Sequence, residues 1–204
     1  FGSGPVAAKS LELLAKNFSV EAVVTKPKPA HHRGSFPVLD VAEQLKLAVR
    51  TVSNRAELDS LMAEKPFSSS VGVLIDFGII VSQKVIDYFP KGIINSHFSL
   101  LPQWRGADPI TFSILSGQPK TGVSLMLIDV GMDTGKLIRQ KSLDISANDT
   151  TTSPTKRLIL LSNDLLAEDL PAYLSGSLKP RLQPHPSRAT YSRKLTKEDG
   201  KIDW

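Results

Sequence analysis

Gly92-Ile-Ile-Asn95-Ser-His97-Phe-Ser99-Leu-Leu-Pro102-Gln-Trp-Arg105-Gly106 is the stretch whose reading decides the fold. Its apolar start, Gly92 to Asn95, has the character of a buried strand, and a loop with Pro102 and Gly106 follows at once. In a strand, residues i and i+2 face the same way, so the Asn95 amide and the His97 imidazole converge on one spot where the strand runs out. Polar side chains at the carboxyl ends of strands in an α/β sheet are where ligands and chemistry collect.

Working outward, strand-like and helix-like segments alternate on both sides. Val6 to Ala15 has helical spacing, with Leu11, Leu13 and Leu14 on the apolar side. Val20 to Thr25 is β-branched and reads as a strand, Val38 to Leu47 as a helix and Ala48 to Val52 as a short strand. Ser53 is placed to cap a helix over Asn54 to Lys65. Val71 to Ile75 is a nearly continuous apolar run, the mark of a strand buried on both faces, and Ser82 to Tyr88 should be helical. This βαβα rhythm predicts an α/β fold, a mostly parallel sheet with helices on both faces. Later, Val123 to Ile128 and Lys136 to Ser142 flank a tight connection and predict an antiparallel strand pair added near the site. Thr150 to Leu174 reads as a long helix, and from Leu178 onward proline and basic residues suggest a linker. Phe1 to Pro5 looks like a loop that follows a strand, so a first strand is expected upstream of it.

The composition narrows the function classes. The 204 residues are 41% hydrophobic and 22% charged, ordinary values for a globular protein. With no cysteine, disulfides, thiolate zinc sites and a cysteine nucleophile are excluded. No apolar run approaches the roughly 20 residues of a membrane helix. The net charge of +5 and pI near 9.4 are compatible with a polyanionic partner.

A second polar knot, Asp129-Val-Gly-Met-Asp133-Thr-Gly135, lies between the two later strands. Amide, imidazole and carboxylate are the groups that acyl transfer to an amine requires. An Asn amide and a protonated imidazole can each donate to a developing oxyanion, one such donor being worth about 2.7–4 kcal/mol of barrier. A carboxylate beside the imidazole orients it and can take the amine's proton. Asn95, His97 and Asp133 are therefore the candidate catalytic residues. Taken singly, Asn-x-His often only satisfies backbone, and Asp-Thr-Gly is good turn chemistry. The joint pattern favours a site. No metal is called for. The adjacent His31 and His32 lack acidic companions that would make a ligand set.

The stretches NSHFSLLPQWRGADPI (95–110) and TGVSLMLIDVGMDTG (121–135) resemble the folate-dependent formyltransferases, most closely the branch acting on methionyl-initiator tRNA. The resemblance extends to Gly2-Ser-Gly-Pro5, TKPKPAHHRG (25–34), DFGIIVSQKVID (76–87) and ATYSRKLTKEDGKIDW (189–204). It implies a Rossmann-like catalytic domain over residues 1–178, with 179–204 leading toward an OB-like domain. It also implies 10-formyltetrahydrofolate as formyl donor, initiator methionyl-tRNA as acceptor, and a monomer. Asn95, His97 and Asp133 fall on the family's catalytic positions. Phe77, Gly78, Ile79, Ile80 and Val81, with Asp129, Val130, Gly131 and Met132, fall on the wall of its pteridine pocket. Ser99, Leu100, Leu101 and Pro102 fall on its folate-contacting loop. Lys26, Lys28 and Arg33 fall in the basic loop implied to meet the acceptor arm of tRNA, where Lys and Arg suit phosphate contact.

Three positions depart from the family pattern. Ser96 replaces a branched apolar residue, Phe98 a small residue or proline, and Asp108 an alanine. Phe98 is expected to narrow the cleft mouth and Asp108 to add negative charge where tRNA must approach. The departures and the basic pI point to the mitochondrial matrix, with the bacterial cytoplasm as the alternative. Rival functions are another acceptor, such as glycinamide ribonucleotide or an amino sugar, a formyltetrahydrofolate hydrolase, or a silent folate- or RNA-binding module.

Overall fold

The computed structural model describes residues 1–31 and 33–202. In chain order the elements are α1 (Pro5–Asn17), β1 (Ala22–Thr25), α2 (Pro37–Gln44), β2 (Ala48–Thr51), α3 (Arg55–Ala63), β3 (Gly72–Leu74) and α4 (Gln83–Tyr88). There follow β4 (Ile93–His97), β5 (Arg105–Gly106), α5 (Pro109–Leu115), β6 (Lys120–Leu127), β7 (Leu137–Asp144), α6 (Thr152–Leu174) and β8 (Tyr191–Ser192). The α/β alternation anticipated from the sequence is present. The helix after Ser53 differs in one detail. Asn54, not Ser53, is its N-cap, with Oδ1 accepting the Glu57 N–H at 3.0 Å, while the Ser53 N–H donates to the Glu57 carboxylate at 2.8 Å. The Asn side chain supplies the acceptor, and the Glu at the third helical position reaches back, a reciprocal cap.

β1 and β2 pair in parallel, as do β3 and β4. β4, β6 and β7 continue antiparallel, in the order β3-β4-β6-β7. Phe1 to Ser3 joins the two groups of strands. The Gly2 N–H donates to Val24 O, the Ser3 N–H to Asp76 O, and the Ile75 N–H to Phe1 O, at 3.1, 2.9 and 2.9 Å. An apolar cavity of about 280 Å³ lies between β1 and β3, lined by residues such as Leu11, Leu14, Val23, Val73 and Phe89.

Helices cover both faces. Leu158, Ile159, Leu165, Leu166 and Leu170 of α6 pack on Ile94, Val123, Leu125 and Ile138. Leu58 and Met62 of α3 and Val85 of α4 pack with Val24, Leu74 and Ile93 on the opposite side. Ser82 caps α4, accepting the Val85 N–H. These two cores hold β4 between them, so its carboxyl end has little freedom to shift.

α6 is also tied to β7 by charge. Arg139 donates Nε and Nη2 to Asp169 Oδ1 at 2.9 and 2.7 Å, and the Asp169 side chain is 2% exposed against 44% for Arg139. The buried carboxylate depends on this fork. Asp169→Ala should lower unfolding free energy by about 2 kcal/mol, the scale of hydrogen bonds to a charged group, read from denaturant melts.

Candidate active site

Alternation along β4 sorts its side chains. Ser96 turns toward α6, its hydroxyl 2.6 Å from that of Ser162, which explains a small polar residue at this position. Asn95 and His97 take the other face and line a cleft of about 860 Å³. In the β4–β6 pairing, His97 lies opposite Ser124. Ser124 is fully buried; its hydroxyl donates to Ser99 O at 2.6 Å and accepts the Leu101 N–H at 3.0 Å and Gln140 Nε2 at 2.8 Å. It thereby fixes the loop that leaves His97, which carries a cis bond between Leu101 and Pro102.

Asp133 meets the pair from the β6–β7 connection. Its Oδ2 accepts the Gly106 N–H at 2.7 Å and lies 3.6 Å from His97 Nδ1, while Oδ1 accepts from Asn95 Nδ2 at 3.3 Å. The three residues chosen from the sequence are thus gathered around one carboxylate. The other imidazole nitrogen, Nε2, is 2.8 Å from Trp104 O. A carbonyl only accepts, so Nε2 carries a proton, and a second proton on Nδ1 would point at Asp133. The imidazole is 6% exposed, and the Asp133 side chain 17%.

Asp133 (φ 51°) and two other residues lining the cleft, Asp76 (φ 50°) and Asp108 (φ 59°), adopt the left-handed conformation, as does Trp104 (φ 58°). Non-glycine residues there carry local strain and persist only where neighbours hold them. Asp108 is held by α5, whose N-cap it is; its Oδ1 accepts Thr111 Oγ1 at 2.7 Å. Trp104 is held by Thr190, whose hydroxyl accepts its N–H at 2.9 Å. Asp133 is held by Gln183, whose Nε2 donates to the Asp133 carbonyl oxygen at 2.7 Å. Two glycines permit this packing. A Cβ at Gly135 would stand 1.7 Å from Leu127 O, and one at Gly106 (φ +101°) 2.5 Å from Ser192 O.

The remaining residues singled out from the sequence divide into a few that line the cleft and more that lie outside its lining. Phe77, Gly78, Ile79 and Ile80 line it; Phe77 is 1% exposed and Ile80 77%. Val81 packs against the core beneath them. Ser99 and Leu101 turn inward, the Ser99 hydroxyl donating to Gln103 O at 2.5 Å and Leu101 packing with Met126 and Leu137. Leu100 is half-buried, and Pro102 is buried. Asp129 braces its own loop, accepting the Gly131 N–H and the Thr134 hydroxyl at 3.1 and 2.7 Å. Val130, Gly131 and Met132 are exposed, with Met132 beside Gly106. Phe98 is 6% exposed and belongs to the core cluster as well as the cleft lining, so its ring is packed inward. Lys26 donates to Gly78 O at 3.0 Å, joining the basic loop to the cleft wall. Lys28 and Arg33 are exposed; His32 lies outside the described residues. Among the described residues no group of three or more His, Asp or Glu is arranged to hold a metal ion.

Several contributors carry little or no signal in the sequence. Ser124 could have been found as a lone hydroxyl inside an apolar strand, where it must have partners. Trp104 acts through its backbone carbonyl, which no side-chain pattern reveals. Gln183 sits in a proline-rich stretch with no local signal.

The formyl transferase family model matches residues 2–170. Methionyl-tRNA formyltransferase of Solibacter usitatus is 36% identical over 208 residues, spanning 100% of this chain and 67% of that protein. The corresponding Roseiflexus sp. protein is also 36% identical, with 64% of its length covered. Phosphoribosylglycinamide formyltransferase of Streptococcus pneumoniae superposes with a TM-score of 0.71 at 25% identity, covering 85% of this chain and 96% of that one. An N-formyltransferase of Helicobacter canadensis, solved with folinic acid and dTDP-3-aminofucose, gives 0.73 at 23% identity, covering 97% and 70%.

Gly106→Ala should force β8 away and pull the Gly106 N–H from Asp133. A loss of about 1–3 kcal/mol in stability, read by thermal melting, is expected from the strained φ alone.

Proposed function

The chain belongs to the formyl transferase family, and from that premise we propose that it moves the formyl group of 10-formyltetrahydrofolate to the amino group of methionyl-initiator tRNA. The observation that carries this reading is the meeting of Asn95, His97 and Asp133 at the edge of a cleft. The relatives that match the whole chain support the acceptor. The fold does not select it, because a glycinamide ribonucleotide enzyme shares the same architecture. The chain spans about two thirds of the relatives' length, 67% and 64%, so the activity is proposed for the whole protein.

The cleft suits a folate-type formyl donor. Ile79 and Ile80 offer apolar surface for a flat heterocycle above the buried Phe77, and Asn95, His97 and Asp133 supply convergent polar groups. When bound, the donor supplies the activated formyl carbonyl. The Asn95 amide and an N–H of His97 are the donors for negative charge on that oxygen, and Asp133 is the acceptor for the proton that leaves the attacking amine; as the new C–N bond forms, the donor's C–N bond to the formyl carbon breaks and that proton is available to the departing nitrogen. Asp133 Oδ2, 3.6 Å from Nδ1, also orients the ring. To reach the formyl oxygen, Nε2–H must exchange its Trp104 carbonyl partner, or Nδ1–H its carboxylate partner.

The acceptor's polyanionic backbone would meet Lys28 and Arg33, both exposed on the loop after β1. Lys26 has a second task, since it also holds the cleft wall through Gly78 O. The bacterial origin of the relatives supports a bacterial cytoplasm ahead of the mitochondrial matrix. No described helix is long and apolar enough to cross a membrane.

Transfer of labelled formyl from 10-formyltetrahydrofolate to charged initiator tRNA should fall at least about a hundredfold in His97→Ala. Equal rates for variant and parent would remove the imidazole from the mechanism. Replacing Lys28 and Arg33 together by alanine should weaken tRNA binding and lower the slope of log affinity against log salt by about one per residue, leaving donor binding unchanged.

A further inference from the structure

Gln183 lies nine residues after α6 ends at Leu174, in the run Lys179-Pro-Arg-Leu-Gln183-Pro. It is nevertheless 8% exposed. Its Nε2 donates to Asp133 O at 2.7 Å and to Gly135 O at 2.9 Å, and its Oε1 accepts from Arg105 Nη2 at 2.8 Å. The amide's orientation follows from the partners alone. A guanidinium only donates and a backbone carbonyl only accepts, so the oxygen must face Arg105 and the nitrogen must face the turn. Arg105 is itself 6% exposed, and its Nε has no hydrogen-bond partner among the described residues. Arg105 and the Asp133 turn are thus bridged by one buried side chain.

We propose that Gln183 is a positioning residue for Asp133, setting the distance between its carboxylate and the His97 imidazole through the backbone of the turn. The proposal rests on the catalytic reading of Asp133 given above. The carboxylate stands 3.6 Å from Nδ1, just beyond hydrogen-bond reach, so a small rotation of the turn decides whether the two groups engage. Asp133 is in the left-handed region at φ 51°, a conformation that its surroundings must impose. Gln183 grips the turn at both ends of Asp133-Thr-Gly135, through the carbonyls of the first and last residue. Neighbouring bonds keep the gripping segment in place. Arg181 exchanges backbone hydrogen bonds with Leu137 at 2.7 and 2.8 Å, and Thr190 O accepts the Arg105 N–H at 2.9 Å. The chain beyond α6 therefore completes the site, and the geometry of the carboxylate depends on a residue 50 positions away in sequence.

Gln183→Glu and Gln183→Met are the informative variants. Both keep the side chain's length, and both lose the two N–H donors; the Glu variant retains an acceptor for Arg105. Made in the full protein, each should lower kcat for formyl transfer at least about tenfold with KM for the formyl donor within about twofold. Each should also change the 15N chemical shift of His97 Nδ1, followed by NMR on the free protein at one fixed pH, because the facing carboxylate has moved. Should the variants melt at lower temperature, the His97 chemical shift measured well below the transition still decides. A kcat within twofold of the parent together with an unchanged His97 chemical shift in both variants overturns the proposal. Asp133→Asn, assayed alongside, separates the two claims. If it loses transfer while the Gln183 variants keep it, only the positioning role fails. If it transfers at the parent rate, the role of Asp133 fails and the positioning role with it.

Discussion

One carboxylate organises this molecule's cleft. Asp133 shares its two oxygens among the Gly106 N–H, the Asn95 amide and the Nδ1 edge of the His97 imidazole. Each contact comes from a different part of the chain, and each is individually modest. Their joint effect is to hold an amide, an imidazole and a carboxylate in one place without solvent having to reorganise around them. Preorganised donors of this kind are the largest single source of rate enhancement in acyl transfer. The rest of the fold can be understood as what keeps that carboxylate still. Two apolar cores hold β4 from either face, Ser124 pins the loop beyond His97, and the strand pair β6–β7 carries the turn on which Asp133 sits.

Backbone strain collects around the same cleft. Asp76, Trp104, Asp108 and Asp133 are all left-handed. Away from glycine that conformation is disfavoured, and each of the last three is held by a specific partner: Thr190 for Trp104, the first turn of α5 for Asp108, and Gln183 for Asp133. Asp76 lies against α1, close enough that a Cβ on Gly4 would collide with its carboxylate at 1.8 Å. The surrounding protein raises the Asp76 carboxyl above the usual range by desolvation, opposed by the charges of Lys194 and Lys26, even though the residue as a whole is exposed. The walls of the cleft are therefore electrostatically mixed, with acidic groups near Lys26 and Lys194 rather than a uniform basic surface.

Much of this was legible in the residues. The alternation of apolar strands and amphipathic helices is a strong local signal, and it gave the elements from α1 to β4 to within a few residues. The i, i+2 rule put Asn95 and His97 on one face, and Ser96 at the opposite face confirms the same alternation. What was hidden has a common cause: it depends on contacts between distant segments. Phe98 reads as a gatekeeper until its ring is seen in the core with Ile110 and Val123. Asp108 reads as an intrusive charge until it is seen to cap α5. Gln183 and the Trp104 carbonyl carry no local mark at all, because one is a polar residue among prolines and the other is backbone. The cap of α3 was misplaced by one residue, since Ser53 and Asn54 are both good caps and only the geometry of Glu57 chooses between them.

The catalytic role proposed for Asn95 and His97 requires that they bind the reacting carbonyl more tightly as negative charge develops than before. The direct measurement is a comparison, in Asn95→Ala and the parent protein, of donor affinity by titration and of single-turnover formyl transfer. A donor Kd within about threefold of the parent and a transfer rate lowered about a hundredfold are expected. A rate that stays at the parent level, or one that falls only in proportion to a weakened Kd, would contradict it.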